Sequence, residues 1–357
     1  MRVLYRADGS PDIGTGHIIR GLILQRRLAR MGAHVTFLTR DLPWGLDKLR
    51  QAGCHVIVIP GAANPRSESG ALRRAAQELA PDVVVMDVLE TPDELTRSAR
   101  EAGARVVCLD DVGPGRLNAD AVVNILEVEP EPELLVRRGI ALHQGPEYAA
   151  LPEAYEEPGI AEREIPPKVR RVLVTLGGAD PAVLAPKAAR GLKLALESRR
   201  GETAFDDPRV MLLLGSASPH REQMPDAIGG ADERFEMVDS IPSLLPALRE
   251  ADLGIIAGGL TMHEALAVGL PSIALCQDVR HQAELARRFA DQGAMLTLGA
   301  GAAVTEAHIA AAVVELAGDS ELRRRLACRG PQLVDGHGAR RTAELIMRTG
   351  SGAPSPP

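Results

Sequence analysis

Short apolar runs recur along the first half of the chain: RVLYRA at 2–7, HVTFLT at 34–39, HVIVIP at 55–60, DVVVMD at 82–87 and RVVCLD at 105–110. Each is close to continuous in Val, Leu and Ile rather than alternating, as a strand buried on both faces of a parallel sheet requires, and the segments between them carry helical periodicity. The result is a βαβ rhythm. It breaks at 151–169, LPEAYEEPGIAEREIPPKV, a stretch rich in Glu and Pro without sustained apolar period, which reads as a crossing between domains. It restarts with RRVLVTL at 170–176, RVMLLLG at 209–215, FEMV at 235–238, DLGIIA at 252–257, PSIALC at 271–276 and AMLTLG at 294–299. Residues 305–348 read as helical, while SGAPSPP at the end buries too little to offset its ordering entropy. The pattern predicts an α/β protein of two Rossmann-like, doubly wound parallel-sheet domains, 1–155 and 168–335, then a C-terminal helix at 336–349 and a disordered tail at 350–357. Ligands of such a pair are expected at the strand C-termini, in an interdomain cleft.

Composition narrows this picture. The 357 residues are 45% hydrophobic and 25% charged, and the net charge of −7 supplies no basic field for nucleic acid. No run resembles a signal peptide or an apolar span, so the expectation is a cytoplasmic protein without stable membrane insertion. Cys54, Cys108, Cys276 and Cys328 are too dispersed for a zinc site or a disulfide framework and read as buried free thiols. Aromatic residues are only 2% of the chain, which leaves a base or sugar to be held by backbone and polar groups.

Chemistry concentrates in three turns. In ADGSPDIGTGHIIRGLILQRRLARMG, Gly14 and Gly16 allow a tight turn after the first strand and His17 opens a helix, whose field favours a neutral imidazole able to accept a proton. The plain alternative makes His17 a helix cap. Arg20 stands where a dinucleotide fingerprint would have its third glycine, which speaks against a nicotinamide cofactor. In ADLGIIAGGLTMHEALAVGLPSIAL, the turn at Gly258, Gly259, Leu260 and Thr261 offers backbone N–H groups to a diphosphate, and Glu264 can take two ribose hydroxyls. The competing reading is a capping box between Thr261 and Glu264. The third turn, VTLGGADPAVL with Gly177 and Gly178, is a weaker repeat of the same plan, and in FEMVDSIPSLLPAL the backbone around Met237 is placed to read a uracil edge if it is not simply core. No ligand spacing for a metal is present, and no cofactor is expected; Asp110 and Asp111 are the nearest challenge.

Taken together these segments resemble the UDP-sugar hydrolase of pseudaminic acid biosynthesis and the spore-coat polysaccharide proteins, which share the GT-B fold of MurG-type glycosyltransferases. IGTGHIIR, MD at 86–87, CLDD at 108–111, the strand end at Asn124, GPEYAAL at 145–151, LGGADP at 176–181 and AGGLTMHEALAVGLPS at 257–272 fall in that family's order. The resemblance implies metal-free removal of UDP from a deoxy amino sugar, inverting at C1, with His17 activating water. It implies substrate contacts at Gly14, Gly16, Arg20, Asp87, Tyr148, Gly177, Gly178, Met237, Gly258, Gly259, Leu260, Thr261, Glu264 and Gln282. Two departures stand out: His281 occupies the place of an asparagine that helps hold the water, and Val88 and Leu89 replace an aromatic residue after Asp87. A His-Gln pair before a helix also suits a GT-B glycosyltransferase with an acceptor hydroxyl, so transfer remains the alternative, followed by an epimerase or a non-catalytic nucleotide-sugar-binding protein. The sugar and the oligomeric state are not specified by the sequence.

Overall fold

The computed structural model describes every residue except 12, 60–63, 127–128, 179, 181, 199–202, 216–220, 231, 240 and 354–357. The chain divides into two compact units: unit 1 comprises residues 1–152 and the chain from His337 onward, and unit 2 is Glu153–Gly336. The Glu- and Pro-rich segment expected as a crossing is packed into unit 2 from Glu153, with Tyr155 buried and Arg163 donating to the backbone carbonyls of Leu248 and Ala251. Of the expected tail, Ser351–Ala353 close the final helix and residues 354–357 lie outside the described residues.

Unit 1 is a seven-stranded parallel sheet of β1 (Arg2–Ala7), β2 (His34–Arg40), β3 (His55–Ile59), β4 (Val83–Asp87), β5 (Arg105–Leu109), β6 (Ala121–Asn124) and β7 (Ala141–Gln144), ordered β3-β2-β1-β4-β5-β6-β7. Alternate residues divide between two cores. Val3, Tyr5, Val83 and Val85 face the layer containing α1 (Gly16–Arg30), and Leu4, Val84 and Met86 face the opposite helices. The helix Gly338–Gly350 joins the first layer through Ala339, Ala343, Leu345 and Ile346, and Gly350 reaches Met1 and Val83.

Unit 2 repeats the plan with β8 (Val169–Thr175), β9 (Phe205–Leu214), β10 (Phe235–Asp239), β11 (Leu253–Ile256), β12 (Ser272–Cys276) and β13 (Leu296–Ala300), ordered β10-β9-β8-β11-β12-β13 and parallel throughout. In each sheet the strand order reverses beside the first strand, between β1 and β4 and between β8 and β11. That reversal parts the loops at the strand C-termini and opens a crevice there. Residues 305–348 are helical with breaks around Asp319 and at Val334–His337. Cys108 and Cys276 are buried thiols as expected, whereas Cys328 lies on an exposed helix face and Cys54 is half-buried.

One close approach sets the height of α1 over its sheet. A Cβ on Gly21 would stand 2.9 Å from a Phe37 ring carbon and 3.0 Å from one of Tyr5. The helix can therefore rest directly on that aromatic pair, whose centroids are 5.2 Å apart. A helix-interior glycine normally costs about 1 kcal/mol against alanine, but overpacking a closed core costs about 1–3 kcal/mol. Gly21→Ala should therefore destabilise the protein by up to about 2 kcal/mol. Gly70, where an added Cβ meets only an Arg74 nitrogen at 3.8 Å, should gain up to about 1 kcal/mol on the same change. Urea denaturation of both variants checks the opposite signs.

Candidate functional site

The crevice of unit 1 is occupied by a cluster of charged and polar side chains. Gly14, with φ of 90°, turns the chain after β1, and its carbonyl accepts the Ser10 N–H at 3.1 Å, so the loop closes on itself before α1 begins at Gly16. His17 thus enters in the first helical turn, and its Nδ1 lies 2.7 Å from Oδ1 of Asp87, the last residue of β4. The pair spans the reversal point of the sheet. Asp87 is fully buried and also accepts from the Tyr5 hydroxyl at 2.6 Å and from Arg20 Nε at 3.1 Å. The Arg20 guanidinium bridges Asp87 and Asp110. Asp110, in the left-handed region with φ of 49°, turns at the end of β5 and uses its other oxygen to accept the N–H groups of Ile125, at 2.6 Å, and Leu126, at 3.1 Å.

The charges fix the tautomer. Burial opposes the negative charge of Asp87, but Arg20 and then His17 overcome it and hold the carboxyl well below the usual range. An ionised carboxylate only accepts, so the His17 Nδ1 carries a hydrogen, and in the neutral ring the lone pair is on Nε2. The 3.3 Å separation of Arg20 Nη2 from His17 Nδ1 is then an approach of two donors sharing one acceptor. The imidazole keeps 27% of its side chain exposed, while Arg20 keeps 11%. Arg20 and Asp87, both expected to meet substrate, are here bonded to each other, Asp87 also to His17 and Arg20 also to Asp110. Tyr148 is apart from them, since its hydroxyl is 3.4 Å from His143 Nδ1 at the β7 edge, three strands from Asp87. Asn124 ends β6 with both side-chain amide atoms buried and without a protein partner.

A second ionic group lies on the opposite face of β1. The buried Arg6 pairs with Asp8 and Glu68, and Asp8 also receives Arg40 through its backbone N–H at 2.8 Å and its Nε at 2.6 Å. Although burial works against the charge, Arg6 and Arg40 lower the Asp8 carboxyl to about 2. This network anchors the start of the His17 loop.

In unit 2 the two glycine turns, after β8 and β11, lie beside the turn that follows β12. The helix Leu260–Ala267 is capped by Gly259, so Thr261 lies inside its first turn and no Thr261–Glu264 capping box forms. A Cβ on Gly258 would stand 2.5 Å from Cys276 Sγ and 3.1 Å from Gln282 Cβ, which keeps that turn tight against β12, whereas Gly259 faces open space. The Met262 N–H donates to the Gly259 carbonyl at 3.1 Å, while the N–H groups of Leu260 and Thr261, ahead of it, have no carbonyl one turn back and favour an anion. Glu264 follows one turn later, partly buried, and accepts the Tyr155 hydroxyl at 2.8 Å; burial drives its carboxyl up to about 7 against that hydrogen bond. Gly177, with φ of 90°, and Gly178 lead to Asp180, whose carboxylate accepts the N–H groups of Leu184 at 2.9 Å and Ala185 at 2.8 Å. The helix that follows this turn begins at Leu184, and residues 179 and 181 lie outside the described residues. Gln277, missed in the sequence, ties this turn to β12 by donating to Asp180 at 2.8 Å and to the Leu176 carbonyl at 3.2 Å, and by accepting Ala182 N–H at 3.0 Å. His281 and Gln282 open the helix Arg280–Asp291, and the Gln282 side-chain oxygen Oε1 is buried without a protein partner. Met237 is in the edge strand β10 with its side chain against the core.

Among the described residues no three His, Cys, Asp or Glu side chains converge as a metal site. Asp110 is engaged by Arg20 and amides, and Asp111 by the N–H groups of Thr91 and Gly113. No described helix is long and apolar enough to cross a membrane.

No family model matches the chain. It is 29% identical over 355 residues to the spore coat polysaccharide biosynthesis protein SpsG of Bacillus subtilis (strain 168), covering 97% of this chain and 98% of the relative. Its structure resembles that of Acinetobacter baumannii MurG, with a TM-score of 0.70 and 16% identity over 97% of this chain and 99% of the other. It also resembles S. aureus MnaA solved with UDP, with a TM-score of 0.66 and 13% identity over 100% and 98% of the two chains. The GT-B fold and the likeness to the spore-coat polysaccharide proteins are thereby borne out.

Removing the Arg20 charge leaves Asp87 buried without its main counter-ion, a defect that costs about 3–5 kcal/mol. The folded-state pKa of Asp87 is depressed, so its contribution is complete above the unfolded value of about 3.9 and is lost as pH falls through the folded one. Arg20→Met should therefore be strongly destabilised at pH 7, with the gap to wild type narrowing at pH 4 as the variant's carboxyls take up protons. An equal gap at both pH values in urea denaturation would contradict the assignment.

Proposed function

We propose that the protein is a nucleotide-sugar hydrolase that releases UDP from a UDP-linked amino or deoxy sugar, with water attacking C1. The observation that carries this reading is the His17–Asp87 pair at the reversal point of the first sheet, with Nε2 left as the proton acceptor. In the proposed step, Nε2 takes a proton from water, the new O–C1 bond forms on the face opposite the nucleotide, and the bond from C1 to the phosphate oxygen breaks. UDP departs with the electron pair. The imidazolium that forms is held against Asp87, whose charge Arg20 in turn secures. The N-terminal N–H groups of the helix Leu260–Ala267 receive the developing charge on the diphosphate, and Glu264 takes the ribose hydroxyls. His281 and Gln282, at the next helix start, are the proposed polar neighbours of the reacting group.

Support for the nucleotide comes from the UDP named with the MnaA structure, and support for a sugar polymer pathway from the spore-coat relative. Transfer to an acceptor hydroxyl would use the same base and the same donor groups, as the fold shared with MurG allows.

A panel of UDP-sugars incubated without acceptor should yield UDP in stoichiometric excess over enzyme, whereas a requirement for an added acceptor would replace hydrolysis with transfer. His17→Asn should retain the fold and nucleotide affinity while turnover drops about 10²–10⁴-fold. Near-wild-type turnover in that variant would reduce His17 to a helix residue. Because Asp110 and Asp111 are already engaged, EDTA should leave turnover unchanged; recovery of lost activity by Mg²⁺ or Mn²⁺ would refute that expectation.

A further inference from the structure

Tyr155 is absent from every motif the sequence singles out, yet it is the largest polar side chain committed to the Glu264 carboxylate. It lies in the short 3-10 helix Glu153–Glu156 at the start of unit 2, 109 residues before Glu264 in the chain, and is only 1% exposed. Its backbone is fixed from the other end of the unit. Gly336, with φ of 81°, packs so closely on the Tyr155 carbonyl that a Cβ there would collide with it. The hydroxyl is thus delivered to Glu264 Oε1 at 2.8 Å by a buried ring on a fixed backbone.

We propose that Tyr155 is a positioning residue for nucleotide binding: its hydroxyl favours the ionised Glu264 and aims the second oxygen at the ribose, so that binding expels a proton from the carboxyl. This rests on the reading of Glu264 as the ribose ligand. A carboxylate has about four acceptor sites, and one donated hydrogen bond leaves the rest for a vicinal diol. The neutral acid is a poorer acceptor and would turn its own hydrogen toward the sugar hydroxyls.

The remaining groups around the helix Leu260–Ala267 are otherwise engaged. Arg163 donates to the carbonyls of Leu248, Ala251 and Val268, and Arg323 to those of Leu316, Ala317, Pro166 and Pro167. His263 lies edge-on to Phe289 with centroids 5.7 Å apart, and Asp252 accepts the N–H groups of Arg170 and Arg171. The hydroxyl of Tyr155 and burial are therefore what set the proton affinity of Glu264, and burial wins, holding the carboxyl up to about 7.

The sign follows directly. A nucleotide that selects the ionised carboxylate binds more tightly as pH rises through that value, by about tenfold between pH 6 and pH 8. The methyl ester of UDP is a suitable probe, because neither phosphate ionises near neutrality. Calorimetry of wild-type protein in two buffers at pH 7 should show proton release on binding, and Glu264→Gln should abolish both the release and the pH dependence with a roughly tenfold or greater loss of affinity. Tyr155→Phe should bind weakly at pH 7, regain most of its affinity at pH 8.5 and show its midpoint at higher pH than wild type. A merely structural loss would not recover with pH. If Tyr155→Phe does not fold, ¹³Cζ-tyrosine NMR of wild type, which has three tyrosines, should show one phenol resonance titrating with the Glu264 midpoint and moving when the ester binds. An affinity unchanged in Glu264→Gln, or no binding at any pH, removes the ribose reading itself. An affinity lost in Glu264→Gln but unaltered in Tyr155→Phe, or a tyrosine spectrum blind to pH and ligand, overturns the role of Tyr155 alone.

Discussion

A guanidinium inside a protein must be matched, and the match chosen for Arg20 organises the whole end of the first sheet. Two carboxylates from neighbouring strands, Asp87 and Asp110, converge on it. With one positive charge between two negative ones, Asp87 still needs donors, and it finds them in Tyr5 from β1 and His17 from α1. Asp110 finds its own in the backbone after β6. The ends of four strands and a helix are thereby pinned together, each by a hydrogen bond that would be costly to leave unmade in a dry site. The imidazole orientation is a product of this network, since without the charge on Asp87 nothing would specify which ring nitrogen holds the hydrogen.

Much of the fold was legible in the sequence, because strands buried on both faces are written as uninterrupted apolar runs. All eleven runs used to predict the two sheets are strands, with ends shifted by a few residues at most. The run ALHQ of β7 carried no such mark: it is an edge strand, only half-buried, with His and Gln in half its positions. The C-terminal helix was visible as an amphipathic segment, but its partner was not, since nothing local says that residues 339–346 belong against Val3 and Tyr5.

The site was legible in its turns and illegible in its pairings. Glycines before a helix and a histidine in its first turn are local signals. The partners of that histidine are 70 residues away, and those of Arg20 are 67 and 90 away, distances that only the strand order closes. Thr261 and Glu264 show the converse, a local spacing that promised a cap and was overridden when Gly259 took the capping position. Asp180 likewise caps a helix that starts four residues beyond it, through a side chain reaching forward rather than from the adjoining position. Tyr155 and Gln277 had no signal at all, one sitting in a polar linker pattern and the other just past a buried strand.

The return of the helix Gly338–Gly350 to unit 1 makes unit 2 an insertion within the chain of unit 1. Translation therefore completes the units out of order. Unit 2 is continuous and can close as soon as Gly336 has left the ribosome, while the face of β1, β4 and β5 that awaits Ala343 and Ile346 stays uncovered until the last helix emerges. Nascent unit 1 is thus the part of the protein exposed to chaperones and to misassembly for longest, and the half that carries His17 is finished last.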